Sequence, residues 1–149
     1  FGRTVVLAKV EASVAKELSK MPTIIHAVSG AYILPPIKYP DGNKYLKIGI
    51  GTDADATFEK VDDLKAWFKG AGSAENRLEF TEFIKQLIPS LSHCNEWHSD
   101  TCVVTQTRSG LPIIEYVDEK KIAVAVGGNG KGAKGADEWG KIAANLINP

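Results

Sequence analysis

The stretch Ile122-Ala-Val-Ala-Val-Gly-Gly-Asn-Gly-Lys-Gly-Ala-Lys-Gly135 governs how the rest of the chain is read. Five apolar residues make a short strand, and five of the nine residues from Gly127 to Gly135 are glycine. A helix is predicted behind them, with Asp137 and Glu138 in its first turn, running toward Ile147. Strand, glycine loop and helix N-terminus together make an anion cradle. Glycine lets the backbone approach an anion closely, and the first N–H groups of a helix have no partner of their own. The loop holds a formal G-x-G-x-x-G at Gly130, Gly132 and Gly135, but only fourteen residues follow it. A dinucleotide-binding βαβ unit needs a second strand and an acidic residue about 20 positions on, and there is room for neither. A P-loop is excluded as well, because no Gly-Lys pair is followed by Ser or Thr. The cradle serves a ligand held mainly by something else.

Working outward, Ile113–Tyr116 reads as a short strand after a corner at Gly110-Leu-Pro112, and Cys102–Thr107 as another. Two amphipathic helices precede a polar loop. Val61, Leu64, Trp67 and Phe68 mark the first, and Phe80, Phe83, Ile84, Leu87 and Ile88 the second, which Pro89 ends. Trp67, Phe68, Phe80 and Phe83 are expected in the core. Lys44–Ile50 alternates, with Leu46, Ile48 and Ile50 on one face and Tyr45, Lys47 and Gly49 on the other. With the turn composition of Tyr39–Asn43 this is a hairpin. Thr4–Val10 reads as a strand and Val10, Val14, Leu18 and Met21 as a helix. Thr23–Val28 and Tyr32–Leu34 read as strands, the latter closed by Pro35-Pro36. The order β-α-β-β-β-α-α-β-β-β-α predicts an α+β fold: a mostly antiparallel sheet flanked by helices, with a strand, glycine loop and helix appended.

At 149 residues, 44% hydrophobic and 24% charged, the chain suits an ordinary globular core. Zero formal net charge argues against nucleic acid or an anionic membrane as the main partner. No apolar run approaches the roughly 20 residues of a spanning helix. Two cysteines are too few for a disulfide scaffold, so a cytoplasmic setting is expected. The start Phe1-Gly-Arg3 reads as an internal cut. Cys94, His98 and Cys102 stand at a spacing unusual for zinc, and no metal is expected. His26 reads as a satisfied core histidine; Tyr32, Tyr39 and Tyr45 read equally as a cavity lining or a cross-strand aromatic set.

Four pieces occur in order: Tyr45-Leu-Lys-Ile-Gly, Cys102-Val-Val-Thr-Gln-Thr, Gly110-Leu-Pro and Gly127-Gly-Asn-Gly-Lys-Gly-Ala-Lys. Together they resemble the C-terminal portion of D-amino-acid-oxidase-like FAD-dependent oxidoreductases, of the sarcosine-oxidase and amine-oxidising branch. The resemblance implies a substrate-binding domain over 1–108 and the last part of an FAD-binding domain over 109–149. The N-terminal dinucleotide-binding unit would belong to the other half of the parent chain. It further implies that Lys47 sits near the reactive face of the flavin and assists electron transfer to oxygen. Lys134 would help bind a substrate carboxylate, and Gly127, Gly128, Asn129, Gly130, Lys131, Gly132 and Ala133 would line the cofactor with it. Cys102 matches the cysteine that carries covalent flavin in sarcosine oxidase. Asp100 beside it argues against a depressed thiol pKa, so non-covalent FAD is expected. The sequence departs from the pattern at Gly51, where sarcosine oxidase has an active-site histidine, and at Arg108-Ser109-Gly110.

Two functions are thus in play. One is the substrate side of an FAD-dependent oxidoreductase of amine or amino-acid C–N bonds, inactive in this portion alone. Its partners would be a small amine or amino-acid substrate and the N-terminal half of its own chain, with a homo-oligomer left open. The other is a non-catalytic module that holds phosphate or carboxylate with Lys131 and Lys134.

Overall fold

The computed structural model describes residues 1–51, 55–118 and 121–148. Two compact units emerge: Gly2–Cys102, and Val103–Pro149 together with Phe1. The expected order of elements is observed, and the class is α+β with a mostly antiparallel five-stranded sheet and four helices.

The larger unit is built on β1 (Gly2–Lys9), β2 (Ile24–Ile25), β3 (Tyr32–Lys38), β4 (Lys44–Gly49) and β5 (Trp97–Val103), in the order β2-β3-β4-β1-β5. Its helices are α1 (Ala12–Glu17), α2 (Val61–Phe68) and α3 (Ala74–Leu87). Leu46 and Ile48 are fully buried on one face of β4, where they meet Val6 and Ala8 of β1 and Ile33 of β3. Phe80 and Ile84 of α3, both at 0% exposure, close the core from above. Ser73 caps α3 by accepting from the Asn76 N–H at 3.2 Å, and its own N–H donates to Thr4 Oγ1 at 2.8 Å, which ties the helix start to β1.

Several local expectations change. Pro35 and Pro36 do not close β3; the strand runs through both to Lys38. β2 reaches only Ile24 and Ile25, so beyond Tyr32 and Ile33 nothing on that side needs a donor. The β3–β4 register also shifts between Leu34 and Ile37, where prolines are tolerated. The Thr23–Val28 strand shrinks to two residues. His26 instead organises a turn, with Nδ1 2.8 Å from Ser29 Oγ and its N–H donating to Ala31 O. Val28 is consequently 92% exposed. Phe68, expected in the core, is 55% exposed at the end of α2, whereas Phe80 is fully buried and Phe83 packs against the core. The fifth strand begins at Trp97, earlier than expected, and ends at Val103.

The smaller unit contains the hairpin of β6 (Ile113–Asp118) and β7 (Ile122–Val126) and helix α4 (Gly132–Ile147). Ile114 pairs with Ala125 and Tyr116 with Ala123. The Tyr116 hydroxyl donates to Leu146 O at 3.1 Å and fastens the far end of α4. No helix among the described residues is long and apolar enough to cross a membrane.

Candidate functional site

In the smaller unit, the glycine loop is shaped by three left-handed residues, Gly127 (φ 77°), Asn129 (φ 49°) and Gly130 (φ 71°). A side chain at 127 would collide with the Thr107 methyl, and one at 128 would come within 3.3 Å of Gly132 Cα. Asn129, the non-glycine member, holds its conformation with three bonds. Its N–H donates to Thr105 O at 2.9 Å, its Nδ2 to Gly127 O at 2.5 Å, and its Oδ1 accepts from the Thr107 N–H at 2.9 Å. Its side chain is therefore engaged within the loop. The Lys131 N–H donates to Gly128 O at 2.7 Å, and α4 begins at the next residue.

That start corrects the expected helix boundary. α4 opens at Gly132, inside the glycine run, so Asp137 and Glu138 fall beyond its first turn, which holds no acid. The first turn has no side-chain cap either, and the positive end of a sixteen-residue helix is left to its backbone N–H groups. Gly127, Gly128, Gly132, Ala136, Trp139 and Gly140 line one side of a cleft of about 400 Å³, with Ile114 and Ala125 of the hairpin opposite. Gly132, Ala136 and Gly140 recur every fourth residue, so a groove of small side chains runs down α4. The Trp139 ring lies over Gly135, where an added Cβ would approach it to 2.6 Å. Lys131, Ala133 and Lys134 are exposed around the helix start. Gly127 to Lys134 thus sit together in one loop and helical turn.

Lys47 and Cys102 belong to the larger unit. Lys47 is half-buried on the sheet face opposite the core, between Leu7 of β1 and Leu34 of β3. It forms no ion pair or hydrogen bond with any described residue. Among the described residues its strand neighbours are apolar, Leu7 on one side and Leu34 on the other. Two residues along, Gly49 makes room for the Tyr32 ring, whose hydroxyl occupies the space a side chain at 49 would need. Burial pushes the Tyr32 phenol above its ordinary range; the nearby Cys102 thiol adds to that and the Arg3 guanidinium opposes it. Cys102 itself is half-buried, and its carbonyl accepts from Trp67 Nε1 at 3.3 Å.

At Gly51, the departure from the sarcosine-oxidase pattern, a Cβ would stand 2.7 Å from Arg3 Nη2. Arg3 Nε donates to Asp55 Oδ2 at 2.8 Å, and that carboxylate is only 8% exposed. Sequence reading missed Arg3. Its signal was the pairing of Val5 with Gly49, which sets Arg3 beside Gly51 two residues on, but that register is a tertiary fact.

The remaining tyrosines resolve toward a cross-strand aromatic set. Tyr39 meets Tyr45 edge-on at 5.1 Å between ring centroids, and Tyr45 meets His98 at 5.7 Å. Cys94 donates to the carbonyls of Lys9 and Glu96, and burial raises its pKa. No cluster of three or more metal-ligating side chains occurs among the described residues. No family model matches the chain, and neither does any curated protein or solved structure.

Proposed function

We propose that this chain is the C-terminal portion of an FAD-dependent oxidoreductase that oxidises the C–N bond of an amine or amino acid in the cytoplasm. Residues 1–108 supply its substrate side and 109–149 complete its FAD-binding domain. The observation that carries the reading is the β7–loop–α4 junction. Its backbone is stripped of side chains where a Cβ would jam it, and it ends in an uncapped helix start beside a largely apolar cleft. Such a rim suits the polar edge of a flat heteroaromatic group, with Gly127, Gly128, Gly130 and Gly132 giving close backbone approach and Ala133 a further N–H at the helix start. Asn129 acts by holding that loop in shape.

The bound flavin supplies hydride acceptance and electron transfer to an acceptor. The chain's own residues orient and stabilise. Lys47 brings a fixed positive charge, unneutralised by any described carboxylate, to stabilise negative charge developing on oxygen. Lys131 and Lys134 offer ammonium groups beside the helix start, where Lys134 binds the carboxylate of an amino-acid substrate. Cys102 leaves the cofactor non-covalent.

The test is the full-length product of the parent gene. It should purify with a flavin absorbance band that acid precipitation releases into the supernatant, and Lys47→Met should slow reoxidation by oxygen about 10²–10³-fold while sparing reduction by substrate. A colourless full-length protein, or equal losses in both half-reactions, refutes the assignment. A start codon immediately upstream of the Phe1 codon, with saturable phosphate binding lost in Lys131→Ala/Lys134→Ala, would favour the non-catalytic module instead.

A further inference from the structure

We propose that Asn129 is a self-modification site, where the loop before α4 undergoes a slow, one-way deamidation that its own hydrogen bonds hold in check. Asn129-Gly130 is the single Asn-Gly pair of the chain; Asn43, Asn76, Asn95, Asn145 and Asn148 are followed by Lys, Arg, Glu, Leu and Pro. With no side chain at Gly130, its backbone nitrogen is open to the neighbouring carboxamide, and that N–H has no acceptor among the described residues. Gly130 is also exposed, so water reaches the pair. Water is the only co-reactant. The Gly130 nitrogen attacks Asn129 Cγ and gives up its proton, the Cγ–Nδ2 bond breaks, and ammonia leaves with that proton. Water then opens the resulting succinimide at either carbonyl, giving aspartate or isoaspartate with no change in oxidation state.

The folded loop opposes the first step. Ring closure requires the carboxamide to swing toward Gly130, and Asn129 holds it on residues that precede it in the chain. Nδ2 donates to Gly127 O at 2.5 Å and Oδ1 accepts from the Thr107 N–H at 2.9 Å, so both ends of the amide must come free before Cγ is attacked. The backbone is fixed as well, at φ 49° for Asn129 and 71° for Gly130, with the Asn129 N–H on Thr105 O at 2.9 Å. Reaction is therefore gated by local opening of the loop. Its products lack the bond that closed the loop. In aspartate a carboxylate oxygen stands where Nδ2 met Gly127 O, acceptor against acceptor. Isoaspartate lengthens the main chain by one carbon, which displaces the left-handed turn. The new negative charge arises just before the uncapped start of α4, where an anionic ligand would otherwise sit. That consequence rests on reading the loop as an anion cradle; the modification itself does not.

The experiment is a timed incubation of this chain in mildly alkaline buffer, folded and in guanidinium, read by peptide mass and by labelling with an isoaspartate-specific methyltransferase. In guanidinium, label should accumulate at Asn129 ahead of every other asparagine. In the folded chain it should accumulate at least about tenfold more slowly, since two side-chain hydrogen bonds must open first. Gly127→Ala, whose Cβ at φ 77° would collide with the Thr107 methyl, loosens both anchors and should speed the folded reaction at least about threefold. In two-dimensional NMR of the ageing folded chain, the Thr107 and Gly127 amides should leave their starting positions in step with the label. No label at Asn129 in guanidinium, or equal folded and unfolded rates, overturns the proposal. So does a Gly127→Ala chain that keeps the wild-type far-UV circular dichroism and reacts no faster. If that variant unfolds, the folded-to-unfolded rate ratio of the wild type decides alone.

Discussion

The two units of this chain treat their apolar residues differently. In the larger one, Ile33, Leu46, Ile48, Phe80 and Ile84 are at 0% exposure, enclosed between one sheet face and α3. In the smaller one α4 has no buried residue, and Ile122 and Val126 of β7 are 54% and 51% exposed. Yet Ile-Ala-Val-Ala-Val is the composition of a strand covered on both faces, the pattern of a parallel strand in a layered α/β domain. Among the described residues of its own unit, β7 pairs with β6 and the hairpin packs against α4. The larger unit holds itself by a core, whereas the smaller leaves open the kind of apolar surface that proteins use for contact.

The sharpest way to break the comparison is Phe80→Ala. Removing a fully buried ring from a closed core should cost about 3–5 kcal/mol, read as a drop in the urea midpoint of the larger unit at unchanged m-value. A loss under about 1 kcal/mol would mean that the larger unit is packed as loosely as the smaller.

The converse substitution lies in the smaller unit. Lys134 is exposed on the first turn of α4, so Lys134→Ala should leave stability within about 0.5 kcal/mol. If the proposed oxidoreductase function holds, Lys134→Ala in the full-length protein should lower kcat/KM for an amino-acid substrate roughly 10- to 150-fold, the worth of a charge-assisted hydrogen bond of about 1.5–3 kcal/mol. Unchanged kcat/KM across carboxylated amines, or a large stability loss, would remove Lys134 from the site.

The smallest effect concerns the hairpin turn of the larger unit. Tyr45 Oη donates to Asp41 Oδ2 at 2.6 Å, and Asn43 bonds the same carboxylate, so the Asp41 pKa lies below its ordinary value. A depressed folded pKa contributes stability above the unfolded pKa of about 3.9, and that contribution is lost as pH falls through the folded value. Asp41→Asn should therefore lower stability slightly at neutral pH and flatten the acid limb below about pH 4, where the wild type loses the same contribution. A steeper acid limb in the variant would contradict the bond.

Much of the fold was legible because its signals are local. The alternation of Leu46, Ile48 and Ile50 around Lys47 follows from the strand period of two, and the Asp41-Gly42 turn from glycine's left-handed freedom, used here at φ 85°. The glycine loop was visible for the same reason. What was not legible depended on partners distant in sequence. Pro35 and Pro36 read as a stop, and they are harmless only because β2 is two residues long and the β4 register shifts there. Phe68 follows the helical pattern yet is 55% exposed at the end of α2. Asp137 and Glu138 read as first-turn residues, but the helix starts earlier, at Gly132, with the Trp139 ring lying over Gly135.

The sequence by itself determined the order of elements, the division of β4 into a core face and a Lys47 face, and the glycine-rich approach to a helix start. Each follows from the period or steric freedom of neighbouring residues. Tertiary structure alone decided that Lys47 has no counterion among the described residues, that Tyr32 rests in the space above Gly49, and that Asp55 holds Arg3 over Gly51. Those facts depend on strand register. A slip of one residue carries every side chain to the opposite face, and no local pattern in a single strand specifies which residue of its neighbour it will meet.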